Sequence, residues 1–197
     1  MSNIWAIILA AGESKRMGFP KMLLDFNGRT MIENVISMVV ESEAVNIIIV
    51  LGAEREPLLE ILAKYRVRTC YNENYKKGML SSVQYGFNNI PPDAEAVFVF
   101  QGDQPLITTK TVNYMIRAYR STDKKIIIPV YNGKRGHPIL IGMKYSEEIM
   151  TLDAGIGLRE LTINHPGDIL QVETEDPGIL RDFDTYEEYR NEINNFR

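Results

Sequence analysis

Three short segments of this chain hold the residues whose types and spacing could do chemistry. The first, Leu9 to Lys21, reads LAAGESKRMGFPK: two alanines and a glycine, then Ser14, Lys15 and Arg16, and Lys21 behind Gly18-Phe19-Pro20. Small residues at the end of a strand let a ligand approach the backbone, and successive N–H groups in such a turn form a concavity for an anion. Arg16 and Lys21 would add positive charge against a polyphosphate. The segment is neither a Walker loop, since no Lys and hydroxyl residue follow Gly18, nor GxGxxG, since alanines hold its first positions. Composition alone leaves equal room for an ordinary turn with solvated basic residues. In the second segment, VFVFQGDQP, Asp103 comes directly after an apolar run. A carboxylate there could hold Mg²⁺ against phosphates or could cap the next helix, a task for which Thr108 or Thr109 is equally suited. The third, DFDTYEEY, places Asp182 and Asp184 before Thr185 and Glu188, which reads first as a helix start with a Thr cap and Glu at the third position.

Weaker signals lie between these. Tyr71-Asn72-Glu73 leads through Lys76-Lys77-Gly78-Met79 to Ser81-Ser82, a polar loop ending at a helix start whose N–H groups could meet an anion. His137, in GKRGHPIL, has no acidic neighbour in sequence, and His165 before Pro166 reads as a helix end. Two histidines and the single Cys70 make no zinc site at any usual spacing. Gly155-Ile156-Gly157 is only superficially a nucleotide loop, because Glu160 stands at the third glycine position.

The elements that must position these residues follow from the apolar pattern. Continuous apolar runs at Ile4–Ala11, Asn46–Leu51 and Ala96–Gln101 predict strands buried on both faces, as in a parallel sheet. Val67–Tyr71 and Lys125–Tyr131 add two more, with Pro129 suited to an edge or a strand end. Helical spacing covers Thr30–Ser42, Pro57–Tyr65 and Leu80–Phe87, with further helices near Thr108 and after Thr185. Alternating strands and helices predict one α/β domain over residues 1–197, a doubly wound, mostly parallel, Rossmann-like sheet whose ligand edge is formed by the strand C-termini. The 22 Lys and Arg against 26 Asp and Glu leave a net charge of −4, with no basic footprint for nucleic acid. No apolar run approaches the roughly 20 residues of a membrane span. A lone cysteine and the lack of a leader-like start point to the cytoplasm.

The order of the motifs adds a resemblance. LAAG, Ser14, Arg16-Met17-Gly18, Lys21, Gly78-Met79 with Ser81-Ser82 and Gly86, GDQP at 102–105, RGHP at 135–138 and DFDT at 182–185 together resemble the MobA-like nucleotidyltransferases. Among these the molybdenum cofactor cytidylyltransferase branch is the most similar. The resemblance spans nearly the whole chain and implies the fold of the nucleotide-diphospho-sugar transferases. It implies a nucleotide site at Leu9, Ala10, Ala11, Gly12 and Lys21, with Asn72, Gly78 and Ser82 toward base and ribose. Arg16, Lys21 and Asp103 would be catalytic, Asp103 and Asp184 would hold Mg²⁺ or Mn²⁺, and Arg135 and His137 would border the acceptor. Where relatives carry a Gly-Asp-x-Gly-Ala-Arg type segment, this chain has LDAGIGLRE, matching imperfectly at Asp153 and Arg159.

The reaction so implied moves NMP from NTP to a phosphorylated acceptor, the molybdopterin cofactor in the first instance, and releases pyrophosphate. GMP-transferring relatives tend to have glycine at the Ala11 position, and a methyl group there favours CTP over GTP on steric grounds. A transient molybdoenzyme or cofactor-insertion partner is a further expectation, with no nucleic acid or membrane partner. Two other readings stay open: the same chemistry on a sugar phosphate or other small phosphate, and a non-catalytic nucleotide- or cofactor-binding module. Lys21 and Asp103 together argue against the module, which needs no such pair.

Overall fold

The computed structural model describes residues 3–44 and 46–195. Strand β1 (Ile4–Ala10) is buried along its whole length, as a strand covered on both faces must be. A hairpin follows, β2 (Asp25–Phe26) and β3 (Arg29–Thr30), turned by Asn27-Gly28 at φ 58° and 80°. Both residues have the positive φ of a type I′ turn, which Asn-Gly favours. Helix α1 (Met31–Val40) starts at a capping box: the Thr30 hydroxyl accepts from the Glu33 N–H, and the Glu33 carboxylate accepts from the Thr30 N–H. Then come β4 (Asn46–Leu51), α2 (Arg55–Leu62), β5 (Arg68–Tyr71), α3 (Met79–Asn88), β6 (Ala96–Gln101) and α4 (Thr109–Arg120). The last third holds β7 (Ile126–Tyr131), β8 (Lys134–Arg135), β9 (Ile139–Gly142), α5 (Ser146–Ile149), α6 (Arg159–Asn164), β10 (Ile169–Glu173) and α7 (Tyr186–Asn195).

The sheet runs β10-β7-β9-β6-β1-β4-β5, with β8 beside β7. Pairs β1–β4, β1–β6, β4–β5 and β7–β10 are parallel; β9 is antiparallel to both β6 and β7. The winding proceeds from β1 outward to β5 and then crosses to β6 on the other flank of β1, so the switch point lies between β1 and β6. Alternate residues of β1 enter different cores. Ile4, Ala6 and Ile8 pack with α1, α2 and α4 through Ile32, Val35, Ile36, Leu58, Leu62 and Ile116. Trp5, Ile7 and Leu9 pack with α3, α5 and α6 through Leu80, Val83, Phe87, Ile149 and Leu161. Each fully buried Ile or Phe contributes about 1.5–3 kcal/mol, so these two layers dominate the fold. A third, smaller cluster joins Met17 of the basic loop, Phe26 and Met31 of the hairpin region, and Phe183.

The doubly wound, mostly parallel sheet agrees with the pattern of apolar runs. Strand β6 has the expected bounds, and β1 ends one residue early. Helix α2 begins before Pro57, which falls in its first turn, where a missing N–H costs nothing. The placing of Pro129 needs correction: β7 is an interior strand. Pro129 sits between the β9 ladder at Ile126–Ile127 and the β8 ladder at Val130–Tyr131, so its missing N–H falls where the partner strand changes. Among the described residues no helix is long and apolar enough to cross a membrane.

Candidate active site

The basic loop leaves β1 and doubles back. Ser14 takes a left-handed conformation (φ 50°), and its carbonyl accepts the N–H groups of Met17 (3.0 Å) and Gly18 (3.1 Å). The Ser14 hydroxyl accepts the Lys21 N–H at 3.2 Å. Met17, buried in the third cluster, anchors the loop from below. Among the described residues, the backbone N–H groups from Gly12 to Arg16 donate to no protein acceptor, which suits an anion-binding turn.

That loop delivers Lys21 to the acids. The Lys21 ammonium donates to Asp103, lies 3.8 Å from Asp184 and sits 3.5 Å from the carbonyl of Phe183. Arg16 reaches Asp184 at 2.8 Å. Asp103 is buried, while Arg16 is largely exposed. Gly102 makes the approach feasible: its N–H donates to the Leu9 carbonyl at 3.0 Å, and a Cβ there would meet Met22 Sδ at 2.9 Å. Asp103 caps nothing. Thr108 caps α4, and the buried Asp176 accepts from the Thr108 N–H (2.9 Å) and hydroxyl (2.8 Å) and from the Thr111 hydroxyl (2.6 Å). Nor does Asp184 cap α7, because Thr185 and Glu188 form that box, with Glu188 accepting from the Thr185 N–H at 2.9 Å. Its carboxylate is therefore left to Arg16 and Lys21. Phe183 holds it there, packed on Phe26 at 5.6 Å between ring centroids.

A crevice of 230 Å³ opens beside this cluster at the β1/β6 switch point. It is lined by Leu9, Ala11, Gly12, Lys21, Gly78, Ser82 and Asp103, together with Met22, Tyr75, Met79 and Gln101. A second hollow of 210 Å³ lies along Gly12, Ser14, Arg16, Lys21 and Asp184. Gly78 (φ 103°) takes a conformation that a side chain would strain. Two expected members are placed elsewhere. Ala10 is buried in the core beneath the crevice. Asn72, 1% exposed, uses its amide on the Ser81 and Ser82 hydroxyls (both 3.0 Å), and its carbonyl accepts from the Asn74 N–H (2.9 Å). It orients Ser82 from behind and does not face the crevice.

Arg135 and His137 line a larger cavity of 750 Å³, which shares Leu9, Met79 and Gln101 with the crevice. Its walls are mainly apolar, including Val83, Val99, Ile128, Ile139, Ile156 and Ile163, with Arg159 and Thr162 on α6. Gln101 approaches the His137 ring at 3.2 Å. Burial lowers the pKa of His137 more than the charges of Asp103 and Asp182 raise it, so the ring is neutral at pH 7. Asp153 holds a turn by accepting the Gly155 N–H at 2.7 Å, and it does not line the cavity. His165 does more than end α6: its ring lies 2.7 Å from the Glu148 carboxylate. Gln101 is a lining residue that the sequence reading does not name, whereas Arg159, expected there only through the imperfectly matched Asp153–Arg159 segment, does line the cavity. The signal for Gln101 was its place at a strand end two residues before Asp103.

Among the described residues no three His, Cys, Asp or Glu side chains group around a common point. Asp103 and Asp184 nonetheless face one ammonium, which stands where a cation between them would stand. Two hard oxygen donors fit a divalent ion that takes its other ligands from phosphates and water.

A family model described as the MobA-like NTP transferase domain matches residues 6–169, which carry the basic loop, Asp103 and the RGHP segment. The chain belongs to this family. It is a nucleotidyltransferase of the MobA-like type. Asp184 lies beyond the matched span, so its place in the site rests on the contacts above. The molybdenum cofactor cytidylyltransferase of Escherichia coli is 30% identical over 96% of this chain and 95% of its own length. A probable molybdenum cofactor guanylyltransferase of Natranaerobius thermophilus is 31% identical over 66% of this chain and 62% of its own. The nicotine blue oxidoreductase of Paenarthrobacter nicotinovorans is 27% identical over 94% of each. Among solved structures, a Mycobacterium tuberculosis protein, Rv0371c in complex with manganese, shares the fold with a TM-score of 0.79 at 22% identity, covering 97% of this chain and 98% of its own.

Proposed function

We propose that this MobA-like enzyme transfers a cytidylyl group from CTP to a phosphate on the molybdopterin cofactor. The observation that carries the reading is the meeting of Lys21, Arg16, Asp103 and Asp184 beside a crevice that adjoins an acceptor-sized cavity through Gln101.

The triphosphate lies along the Gly12–Arg16 turn, whose N–H groups and basic side chains receive its oxygens. An acceptor phosphate oxygen attacks the α-phosphorus in line; the bond to the β-phosphate oxygen breaks, and pyrophosphate leaves with that electron pair. No covalent enzyme intermediate is needed, so the protein contributes positioning and charge. Lys21 and Arg16 hold the departing pyrophosphate. Asp103 and Asp184 would hold a divalent cation, Mg²⁺ or Mn²⁺, which would supply charge neutralisation at the α-phosphate. The neutral His137 and Gln101 position the acceptor at the junction of the two hollows, with Arg135 and Arg159 toward its phosphate.

Two features support the choice of substrates. Ala11 lines the crevice and cannot retreat from a larger base, since a Cβ at Gly52 would already lie 2.4 Å from the Ala11 carbonyl oxygen. The apolar walls of the acceptor cavity suit the faces of a ring system, while Gln101, Arg135, His137, Arg159 and Thr162 leave polar groups for its edges and its phosphate. The test is pyrophosphate release with each of the four ribonucleoside triphosphates, against molybdopterin cofactor and a panel of sugar phosphates. CTP with the cofactor should give the highest kcat/KM. Preference for GTP would overturn the base assignment, and preference for a sugar phosphate would overturn the acceptor.

A further inference from the structure

The Lys21 ammonium is tied to three oxygens at once, from Asp103, Asp184 and the Phe183 carbonyl. Its side chain is 14% exposed, so this cage is largely shielded from water. Arg16 closes the outer side of Asp184 at 2.8 Å. Two carboxylates are thus matched by two protein cations, and the cluster is neutral without any metal. A divalent ion entering it would have to turn Lys21 out of its cage and part Arg16 from Asp184. The displaced ammonium would remain beside a dication in a poorly solvated place, where like charges repel strongly. A nucleoside triphosphate changes that balance. Docked along Gly12, Ser14, Arg16 and Lys21, which line one hollow with Asp184, its phosphate oxygens offer both side chains a new charged partner. Cation exchange on the two acids then leaves no charge unpaired.

We propose that Lys21, assisted by Arg16, is a built-in blocking cation for the Asp103–Asp184 pair, so that the divalent metal is admitted with the triphosphate and bound poorly before it. This rests on the reading of Asp103 and Asp184 as the metal pair. It adds an order of binding, which follows from mutual exclusion on the same oxygens. By linkage, a cation that competes with the metal in the free protein weakens metal binding by the same factor that its removal restores.

The test is Mn²⁺ binding to the full chain without nucleotide, followed by electron paramagnetic resonance of the free ion. Lys21→Met should bind Mn²⁺ at least tenfold more tightly than the unaltered protein. Arg16→Gln, an exposed position where folding is not at risk, should tighten it about threefold. Adding Asp103→Asn to Lys21→Met should abolish the gain. If Lys21→Met, or Arg16→Gln where the first variant does not fold, binds Mn²⁺ no more tightly than the unaltered chain, the blocking role is wrong. If the gain survives Asp103→Asn, the metal sits elsewhere, and the assignment of the acids falls along with it.

Discussion

Asp103→Asn is the substitution that bears hardest on the proposed chemistry. The amide keeps the size of the side chain and removes its charge from a position that is only 5% exposed. Two contacts suffer: the bond from Lys21 and, during turnover, the hold on a divalent cation. Removing one preorganised electrostatic contact of this kind costs about 2–4 kcal/mol in the transition state, and at 1.36 kcal/mol per decade that is roughly a 30- to 1,000-fold loss of kcat. The fold should survive. Breaking a fully buried pair costs about 3–5 kcal/mol, but Lys21 keeps Asp184 at 3.8 Å and the Phe183 carbonyl at 3.5 Å. A loss of about 1–2 kcal/mol is therefore expected, a fall in Tm of roughly 2–8 °C for a chain of this size. Pyrophosphate release over a range of CTP concentrations reads the first effect and a thermal melt the second. Turnover within about threefold of the unaltered enzyme, in a protein that still melts cooperatively, would refute the catalytic assignment of Asp103.

Three more predictions concern the base, the thiol and pH. Ala11→Gly should raise kcat/KM for GTP relative to CTP by about tenfold, and an unchanged ratio in the pyrophosphate assay would show that Ala11 does not set the base. Burial pushes the Cys70 thiol up to about 11, so iodoacetamide at pH 7.5 should alkylate it slowly in the native protein and rapidly in urea; equal rates would contradict the placement on β5. Burial lowers the pKa of His137 from its ordinary 6.5, so the unfolded chain takes up the proton first as pH falls. Stability should therefore decline as pH drops below about 6.5 and level off beneath the folded value. His137→Gln should flatten that part of the melting profile, and a profile identical to the unaltered protein would show that the ring is not buried neutral.

How much of this was legible beforehand depended on which physical signal each part leaves in the sequence. Strands β1, β4 and β6 are unbroken apolar runs because both faces are covered, and such runs can be read directly. Strand β10, with the exposed Gln171 and Glu173, and β9, four residues long, offer no such run. Both hairpin turns do leave a mark: Asn27-Gly28 and Asn132-Gly133, all four at positive φ, are Asn-Gly pairs of the kind that signals a hairpin. Asp103 stood out because it follows a buried strand. Asp184 looked like a helix-start acid, and the packing of Phe183 on Phe26, across more than 150 residues of chain, is what turns it to the site. Asn72 shows the opposite limit. By itself it reads as an ordinary polar loop residue, the resemblance alone implies a ligand contact, and only burial reveals that its hydrogen-bonding capacity is spent on Ser81, Ser82 and Asn74.

One regularity connects these successes and failures. In a parallel strand the residues at the ligand edge are those that follow it, which is why the basic loop comes after β1 and Asp103 after β6. Strand β9 runs the other way, with Ile139 opposite Val99 near the C-terminal end of β6 and Gly142 opposite Ala96 at its start. The residues it brings to the ligand edge are therefore those that precede it, Gly136, His137 and Pro138. Their backbone is fixed at that edge: the Gly136 N–H donates to the Pro129 carbonyl, and the His137 N–H donates to that of Ile179, both at 2.9 Å. A Cβ at residue 136 would strike Ile179 O at 2.4 Å, which restricts this close approach to glycine. The antiparallel insertion between β6 and β7 thus does two things. It separates two strands that a uniformly parallel sheet would pair, widening the edge into the 750 Å³ cavity, and it supplies the polar groups at the junction of that cavity with the nucleotide crevice. A motif lying before its strand is what an antiparallel member of a ligand-binding edge requires, so the position of RGHP ahead of ILIG carries the strand's direction as well as its chemistry.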